Sequence, residues 1–188
     1  MRLKDDKSLQ ERLMTWDDKF KFHCHPGIDC FNSCCRNVTI FLTPLDVLRL
    51  RKALNMTSTD FLEQYTHKVV SRKSGLPAVI LKMMDTETKQ CPFVSQEGCR
   101  VYENRPYPCR LYPLDTEQGV EYKHITDAEI CHGLGESREW SVEEWRRDQG
   151  LLDYDDLDHN FKDVMNADQV WEQAISDARM QDMFLMSL

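Results

Sequence analysis

Eight cysteines, most of them gathered into two short segments, constrain this chain of 188 residues more than any other feature of its sequence. The first segment, residues 23–37, reads HCHPGIDCFNSCCRN, and the second, residues 91–113, reads CPFVSQEGCRVYENRPYPCRLYP. Thiols at this density could be disulfide partners, ligands of a metal, a catalytic thiol with its neighbours, or small buried apolar side chains. The eight residues are Cys24, Cys30, Cys34, Cys35, Cys91, Cys99, Cys109 and Cys131.

The N-terminal residues favour the metal among these alternatives. Residues 1–20 are charged throughout and lack the apolar core of a secretory signal, so we expect a cytoplasmic protein. No stretch approaches the roughly 20 apolar residues that a transmembrane helix needs, so we expect no membrane partner. Disulfides are rare in a reducing compartment, where clustered cysteines more often bind metal. We therefore expect the cysteines to be reduced or metal-bound.

Charge and motifs argue against several classes of function. The formal net charge is −8, which argues against a nucleic acid as partner because phosphates repel an acidic protein. The sequence contains no phosphate-binding loop, no HExxH zinc motif and no Ser-His-Asp order typical of a hydrolase. No catalytic residue is predicted from the motifs, and the question of enzymatic activity stays open.

Local signals predict a mixed structure of helices and strands. Thr43 and Thr57 each have the surroundings of a helix N-cap. The second of these helices has an apolar stripe of Phe61, Tyr65 and Val69. A further helix is predicted over 8–20, and strands are predicted over 37–42, 77–84 and 120–126. The expected fold class is a small α+β domain built around a cysteine-rich metal site.

The C-terminal residues differ in character from the rest of the chain. Residues 136–188 are acidic and lack cysteine, so we predict a helical extension that follows a cysteine-cluster domain of residues 1–135. Ser141 begins a capping box, and Trp140 and Trp145 occupy the positions of a hydrophobic staple around it. These C-terminal helices could offer a surface to a protein partner.

The number of cysteines allows one or two metal sites. Structural zinc takes four ligands and a cubane iron–sulfur cluster takes four thiolates, so eight cysteines can fill two sites, or one with four spare thiols. Cys34 and Cys35 would point to opposite sides of an extended chain, which suits two neighbouring sites, or one ligand beside a buried thiol. A hairpin around Gly98 would bring Cys91 and Cys99 together. Thiolate-rich sites suit both zinc and iron–sulfur.

Charged and aromatic neighbours of the cysteines could take part in such a site. They are Arg36, Arg100 and Arg110, each directly after a cysteine, and His23, His25 and His132, each directly beside one. The arginines could offset the negative charge of thiolates, or they could be solvated surface residues. The histidines could complete a mixed site, but with eight cysteines available we expect them to be exposed or to support the ligands.

Two motifs carry a resemblance to a known family. FHCHPGIDCFNSCCRNVTIFLTPLDVLRL is a cysteine run that ends in a CC pair before a strand and a helix start, and CPFVSQEGCRVYENRPYPCRLYP has cysteines before VYENRP and in CRLYP. Together they resemble the YkgJ-type cysteine cluster family, also described as a zinc- or iron-chelating domain. The resemblance implies that all eight cysteines bind zinc or a 4Fe–4S cluster, and it leaves the C-terminal helices outside.

The resemblance also bears on function. Bacterial flagellin lysine methylases are similar in their cysteine cluster, which implies that the domain can accompany protein-modifying chemistry. We therefore expect a metal-binding structural or accessory module. The alternative is an iron–sulfur-dependent enzyme or enzyme subunit for redox chemistry or protein modification, such as protein lysine methylation.

Overall fold

The structure, a computed structural model, describes residue 10 and residues 12–70, 77–116 and 120–155. In these residues short helices combine with four small antiparallel sheets, so the predicted α+β class is confirmed. The helices are α1 (Pro44–Ala53), α2 (Ser58–Tyr65), α3 (Tyr107–Leu111) and α4 (Val142–Asp148). The strands are β1 (Lys19–Lys21), β2 (Phe41–Leu42), β3 (Thr66–Val70), β4 (Pro77–Leu81), β5 (Val94–Ser95), β6 (Gly98–Cys99), β7 (Leu114–Thr116), β8 (Tyr122–His124) and β9 (Glu139–Ser141).

Contacts between residues divide the chain into two compact units. The first unit comprises residues 1–34 and 108–151, and the second comprises residues 35–107 and 152–188. The predicted boundary after residue 135 stays a prediction. Among the described residues, no helix combines the length and the apolar composition that crossing a membrane requires.

In the first unit, two pairs of antiparallel strands hold an aromatic core. β1 pairs with β9, with Phe20 opposite Trp140, and β7 pairs with β8. Met14 exchanges two backbone hydrogen bonds with Tyr122, at 2.7 and 2.8 Å. The buried apolar side chains of this unit include Met14, Phe20, Phe22, Leu111, Leu114, Tyr122, Trp140, Val142, Trp145 and Leu151.

The prediction of a helix over 8–20 is wrong for the described residues 12–20. The backbone groups of Met14 that a helix would use internally are bonded to Tyr122, and residues 19–21 form β1. The apolar residues that suggest a helical stripe therefore lie in short stretches that pair with other strands. Tertiary pairing outweighs a weak local preference here.

The start of α4 agrees with its predicted sequence signals. The Ser141 hydroxyl accepts the Glu144 N–H, and the Glu144 carboxylate accepts the Ser141 N–H, which completes the predicted capping box. The rings of Trp140 and Trp145 lie 5.3 Å apart, as expected for a hydrophobic staple. The helices predicted beyond residue 155, with their partner surface, lie outside the described residues.

In the second unit, the three-stranded sheet β2–β4–β3 packs with α1 and α2 around one apolar core. Both helices begin where predicted, because Thr43 and Thr57 each accept the N–H of an aspartate three residues later. The core contains Leu42, Val47, Leu50, Phe61, Leu62, Val79, Leu81, Phe93 and Val101.

The predicted extension of α2 to Val69 is wrong. The helix ends at Tyr65, Thr66 donates its hydroxyl to the Leu62 carbonyl at 2.6 Å, and Val69 lies in β3.

A fully buried carboxylate connects three parts of the second unit. One oxygen of Asp46 accepts the Thr43 N–H at 2.8 Å. The other accepts the Tyr107 N–H at 2.9 Å and the Tyr154 hydroxyl at 2.8 Å. Burial raises the pKa of Asp46, and these donors counter the rise because they favour the ionised form.

Candidate metal centre

The eight cysteines are divided between the two compact units, and none is joined in a disulfide. The first unit contains Cys24, Cys30, Cys34, Cys109 and Cys131, and the second contains Cys35, Cys91 and Cys99. Cys131 is buried, Cys24 and Cys34 are exposed, and the other five are half-buried. All of these positions lie in the described residues, so each predicted ligand can be placed.

The vicinal cysteines lie in a tight turn rather than in an extended chain. Residues Ser33–Cys35 form a single turn of 3-10 helix. Asn32 and Asn37 flank the turn with left-handed backbone angles, φ 66° and 49°, which asparagine adopts more readily than most residues. Successive side chains of a 3-10 helix are roughly 120° apart. The extended geometry assumed for Cys34 and Cys35 therefore does not apply.

Three thiols of the first unit share one environment, and we call Cys30, Cys34 and Cys131 the first-unit thiol group. The His132 N–H donates to the Cys30 sulfur at 3.2 Å, which holds Cys30 beside a residue 102 positions further along the chain. Burial raises the pKa of the Cys131 thiol, and negative charge on Cys30 and Cys34 raises this pKa further. The hydrogen bond from His132 to Cys30 thus holds the first cysteine segment beside the last cysteine.

Tyr112 completes this environment and was not predicted. Its hydroxyl donates a hydrogen bond to the Cys131 sulfur. Burial, followed by the interaction with Cys131, raises the pKa of Tyr112 far above its ordinary value, so the hydroxyl keeps its proton. The Gly133 N–H also bonds to Cys131 and, like Tyr112, lowers the pKa of that thiol. Three thiols with O–H and N–H donors to sulfur are a donor set that fits zinc or an iron–sulfur cluster.

The remaining two cysteines of this unit are Cys24, which precedes the thiol group in sequence, and Cys109, which lies between Cys34 and Cys131. Cys24 lies in the loop after β1, between His23 and His25. Cys109 is the third residue of α3 and directly follows Pro108.

The second unit connects the end of the first cysteine segment to the start of the second. The Cys91 N–H donates to the Cys35 carbonyl at 2.8 Å, and the Asn37 N–H donates to the Lys89 carbonyl at 3.0 Å. The predicted hairpin is present as β5 and β6, but its register places Val94, rather than Cys91, opposite Cys99. Cys91 and Cys99 pack against the apolar core of this unit, so both contribute to its packing.

Two of the three arginines donate to backbone carbonyls. The buried Arg110 donates to the Gln149 carbonyl at 2.7 Å. Arg100 is exposed and donates to the Pro92 carbonyl, also at 2.7 Å, while Arg36 is exposed. These bonds give Arg100 and Arg110 a structural function, and compensation of thiolate charge stays a prediction for all three.

Two of the three histidines lie together with a carboxylate that was not predicted. The rings of His23 and His25 are 4.8 Å apart, and the His25 Nε2 lies 3.8 Å from a Glu136 oxygen. One ligand atom from each of the three residues can be chosen so that all lie within 4.8 Å of one another. Glu136 has no cysteine beside it in sequence, so no motif pointed to it. The exposed His132 contributes only its backbone N–H to Cys30.

Comparison with known proteins gives one match. A family model named CxxCxxCC and described as "Putative zinc- or iron-chelating domain" matches residues 23–132, more than half of the chain. Searches of curated proteins and of solved structures give no significant match. The matched residues include all eight cysteines and Tyr112, whereas Glu136 and α4 lie beyond them.

Proposed function

Because this chain belongs to the family of CxxCxxCC zinc- or iron-chelating domains, we propose that it binds a zinc ion or an iron–sulfur cluster through the first-unit thiol group. The observation that carries the proposal is the hydrogen bond from the His132 N–H, directly after Cys131, to the Cys30 sulfur, which joins opposite ends of the matched region. Soft thiolate ligands select zinc and iron–sulfur clusters over harder ions. The protein is proposed to act as a structural or accessory module.

Either metal prefers four protein ligands, so one further thiol is needed. Cys24 and Cys109 belong to the same compact unit as the thiol group and are the candidates for this position. Cys24 is exposed and Cys109 is half-buried, so an ion can reach both residues from solvent.

The chain's own groups prepare the thiols for a cation. Mutual repulsion among three thiolates opposes their ionisation, and a cation relieves that repulsion. The His132 N–H and the Tyr112 hydroxyl donate to sulfur, so they orient the ligands and stabilise their charged forms. A bound metal would crosslink parts of the first unit that are distant in sequence, so metal binding should contribute directly to the stability of that unit.

The first experiment is anaerobic purification followed by elemental analysis and visible absorption. A colourless protein with stoichiometric zinc would support a structural site. A brown protein containing iron and sulfide would identify a cluster and favour the enzyme alternative. A protein that binds neither with stoichiometry would contradict the proposal.

Ligand assignment needs a matched pair of variants. We expect Cys131→Ser to lose most of the metal, because Cys131 is buried within the thiol group. Cys99→Ser is the control, since it removes a half-buried thiol of the second unit. Equal loss of metal in both variants would contradict the assignment to the first-unit thiol group.

A further inference from the structure

We propose that His23, His25 and Glu136 form a second, sulfur-free site for one divalent first-row transition ion, separate from the first-unit thiol group. The donor set is two imidazoles and one carboxylate, with ligand atoms that lie within 4.8 Å of one another. This proposal does not depend on the metal bound by the cysteines. It rests on a different set of residues, and Glu136 lies outside the region that the family model matches.

Backbone pairing, rather than chance proximity of long side chains, brings the three residues together. The ladder between β1 and β9 continues past the strand ends, because the Phe22 N–H donates to the Arg138 carbonyl at 2.9 Å. The His23 N–H then donates to the Gly133 carbonyl at 3.0 Å. Glu136 directly follows the 3-10 turn that contains Gly133. The separation between His23 and Glu136 is therefore set by main-chain hydrogen bonds.

Gly27 makes room for the second imidazole. A Cβ at Gly27 would lie 3.0 Å from the His25 Nδ1 and 3.1 Å from its Cε1, closer than nearly all real contacts of this kind. His23 and His25 are two residues apart in a stretch without helix, which places both rings on one side of the chain. A side chain at position 27 would therefore force the His25 ring to move by a few tenths of an ångström.

Distances and exposure suit an ion that exchanges with solvent. Two ligands about 2.1 Å from a tetrahedral ion are roughly 3.4 Å apart. The His25 Nε2 and the Glu136 oxygen lie 3.8 Å apart, which is too long for a good hydrogen bond and close to this spacing. The His25 and Glu136 side chains are 34% and 36% exposed, so the ion would be reachable and would keep open positions for water.

Loading of the site requires one proton movement. The Gly27 N–H donates to the His25 Nδ1 at 3.1 Å, so in the neutral ring the proton is on Nε2. For Nε2 to bind an ion, this proton passes through solvent to Nδ1, and the Gly27 hydrogen bond is lost. The ring stays neutral and no proton is released in this step. Binding should therefore be visible at the Gly27 amide.

Imidazole and carboxylate together favour ions such as Fe2+, Zn2+ and Mn2+, whereas the thiol group favours softer ligation. Mn2+ is the first probe, because it binds thiolate poorly. Co2+ is the second, because it binds nitrogen donors more tightly than Mn2+ does, and its absorption reveals any thiolate ligand. Both are titrated into the full-length protein that already holds its cysteine-bound metal.

We expect one additional Mn2+ or Co2+ per chain, with early broadening of the Gly27 and Glu136 amide signals by Mn2+. His25→Asn and Glu136→Gln should each weaken this binding more than tenfold. Their controls are His67→Asn, an exposed histidine of the second unit, and Glu139→Gln, an exposed carboxylate three residues from Glu136. The controls should bind as the unaltered chain does.

Binding of neither ion at millimolar concentration, equal loss in the controls, or a thiolate absorption band in the Co2+ complex would each overturn the proposal. Elemental analysis of the cysteine-bound metal separates this question from the proposed function. If Glu136→Gln also releases that metal, the three residues belong to the cysteine site and no second site exists. If the chain holds no cysteine-bound metal but still takes up Mn2+ in this pattern, the proposed function fails and this site stands.

Discussion

Replacement of Tyr154 by phenylalanine tests the buried carboxylate of the second unit with a change of one oxygen atom. The Tyr154 side chain is only 3% exposed, and its hydroxyl donates to Asp46 at 2.8 Å. Phenylalanine keeps the ring that packs against Tyr107 and lies beneath the Arg49 guanidinium. The change therefore removes a donor from a buried carboxylate, together with a longer contact of 3.4 Å between the hydroxyl and the Arg105 carbonyl.

The expected loss in the free energy of unfolding follows from the charge of the acceptor. A hydrogen bond to a charged group contributes about 1.5–3 kcal/mol, against about 1 kcal/mol for a neutral pair. With a urea dependence of about 2 kcal/mol per molar, the unfolding midpoint should fall by about 1 M. Tyr102→Phe is the matched control, because Tyr102 is 52% exposed and loses an oxygen that faces solvent. We expect the control to change stability by less than about 0.5 kcal/mol.

The pH dependence provides a second check with a definite sign. Burial raises the folded pKa of Asp46 above its ordinary value of 3.8, and the Tyr154 hydroxyl opposes this rise. The hydroxyl therefore stabilises the ionised form, and its contribution is fully present above the raised pKa. The penalty of Tyr154→Phe should shrink as the pH falls through the raised pKa towards 3.8. Urea unfolding followed by circular dichroism, with both proteins measured at each pH, gives this difference directly.

If Tyr154→Phe lowered the free energy of unfolding no more than Tyr102→Phe does, the reasoning would be refuted, since solvent or another group would then replace the lost donor. A full-sized penalty that does not vary with pH would refute the assignment of the donor to a charged acceptor.

Three further changes test other parts of the first unit. Tyr112→Phe removes the hydroxyl bonded to Cys131 and should lower the affinity for the cysteine-bound metal about 10–100-fold, measured by competition with a chelator. Unchanged affinity would show that the hydroxyl is not needed. Gly133→Ala should destabilise the protein by about 1–3 kcal/mol, because the new Cβ would lie 3.0 Å from the Phe22 ring. Gly135→Ala is the control and should be neutral, because no atom lies within 4 Å of its new Cβ. Equal effects of the two changes on thermal unfolding would contradict this packing. Ser141→Ala removes the N-cap of α4 and should lower the free energy of unfolding by about 1 kcal/mol. Unfolding can be followed by the fluorescence of the adjacent tryptophans.

Local features could be predicted from the sequence, because the atoms that decide them are close in the chain. The N-caps Thr43, Thr57 and Ser141 each bond to a residue three positions later, so their motifs are short and readable. The end of α2 is different. Val69 continues the apolar helical pattern of Phe61 and Tyr65, but pairing of β3 with β4 decides its conformation.

The candidate sites could be predicted only in part. The cysteines are identified by their density and by the family resemblance, but their division into groups depends on pairing between distant segments. Glu136 joins His23 only because β1 pairs with β9, and that register cannot be seen in either strand alone. Tyr112 contacts Cys131 for a similar reason, since its neighbours in sequence do not distinguish it from the other tyrosines.

The discontinuity of the first unit has a consequence for the order in which the chain is made. Residues 35–107 emerge from the ribosome as one continuous stretch, whereas the first unit needs both residues 1–34 and residues 108–151. Translation proceeds at about 5–20 residues per second, so the 97 residues from Cys34 to Cys131 (131 − 34) take roughly 5–20 s. During that interval Cys30 and Cys34 exist without Cys131, and they are open to oxidants and to misdirected metal ions. Under the proposed function, the thiol group is complete only once Cys131 has been made, so cells short of metal or rich in oxidant should damage the nascent chain more than the finished protein.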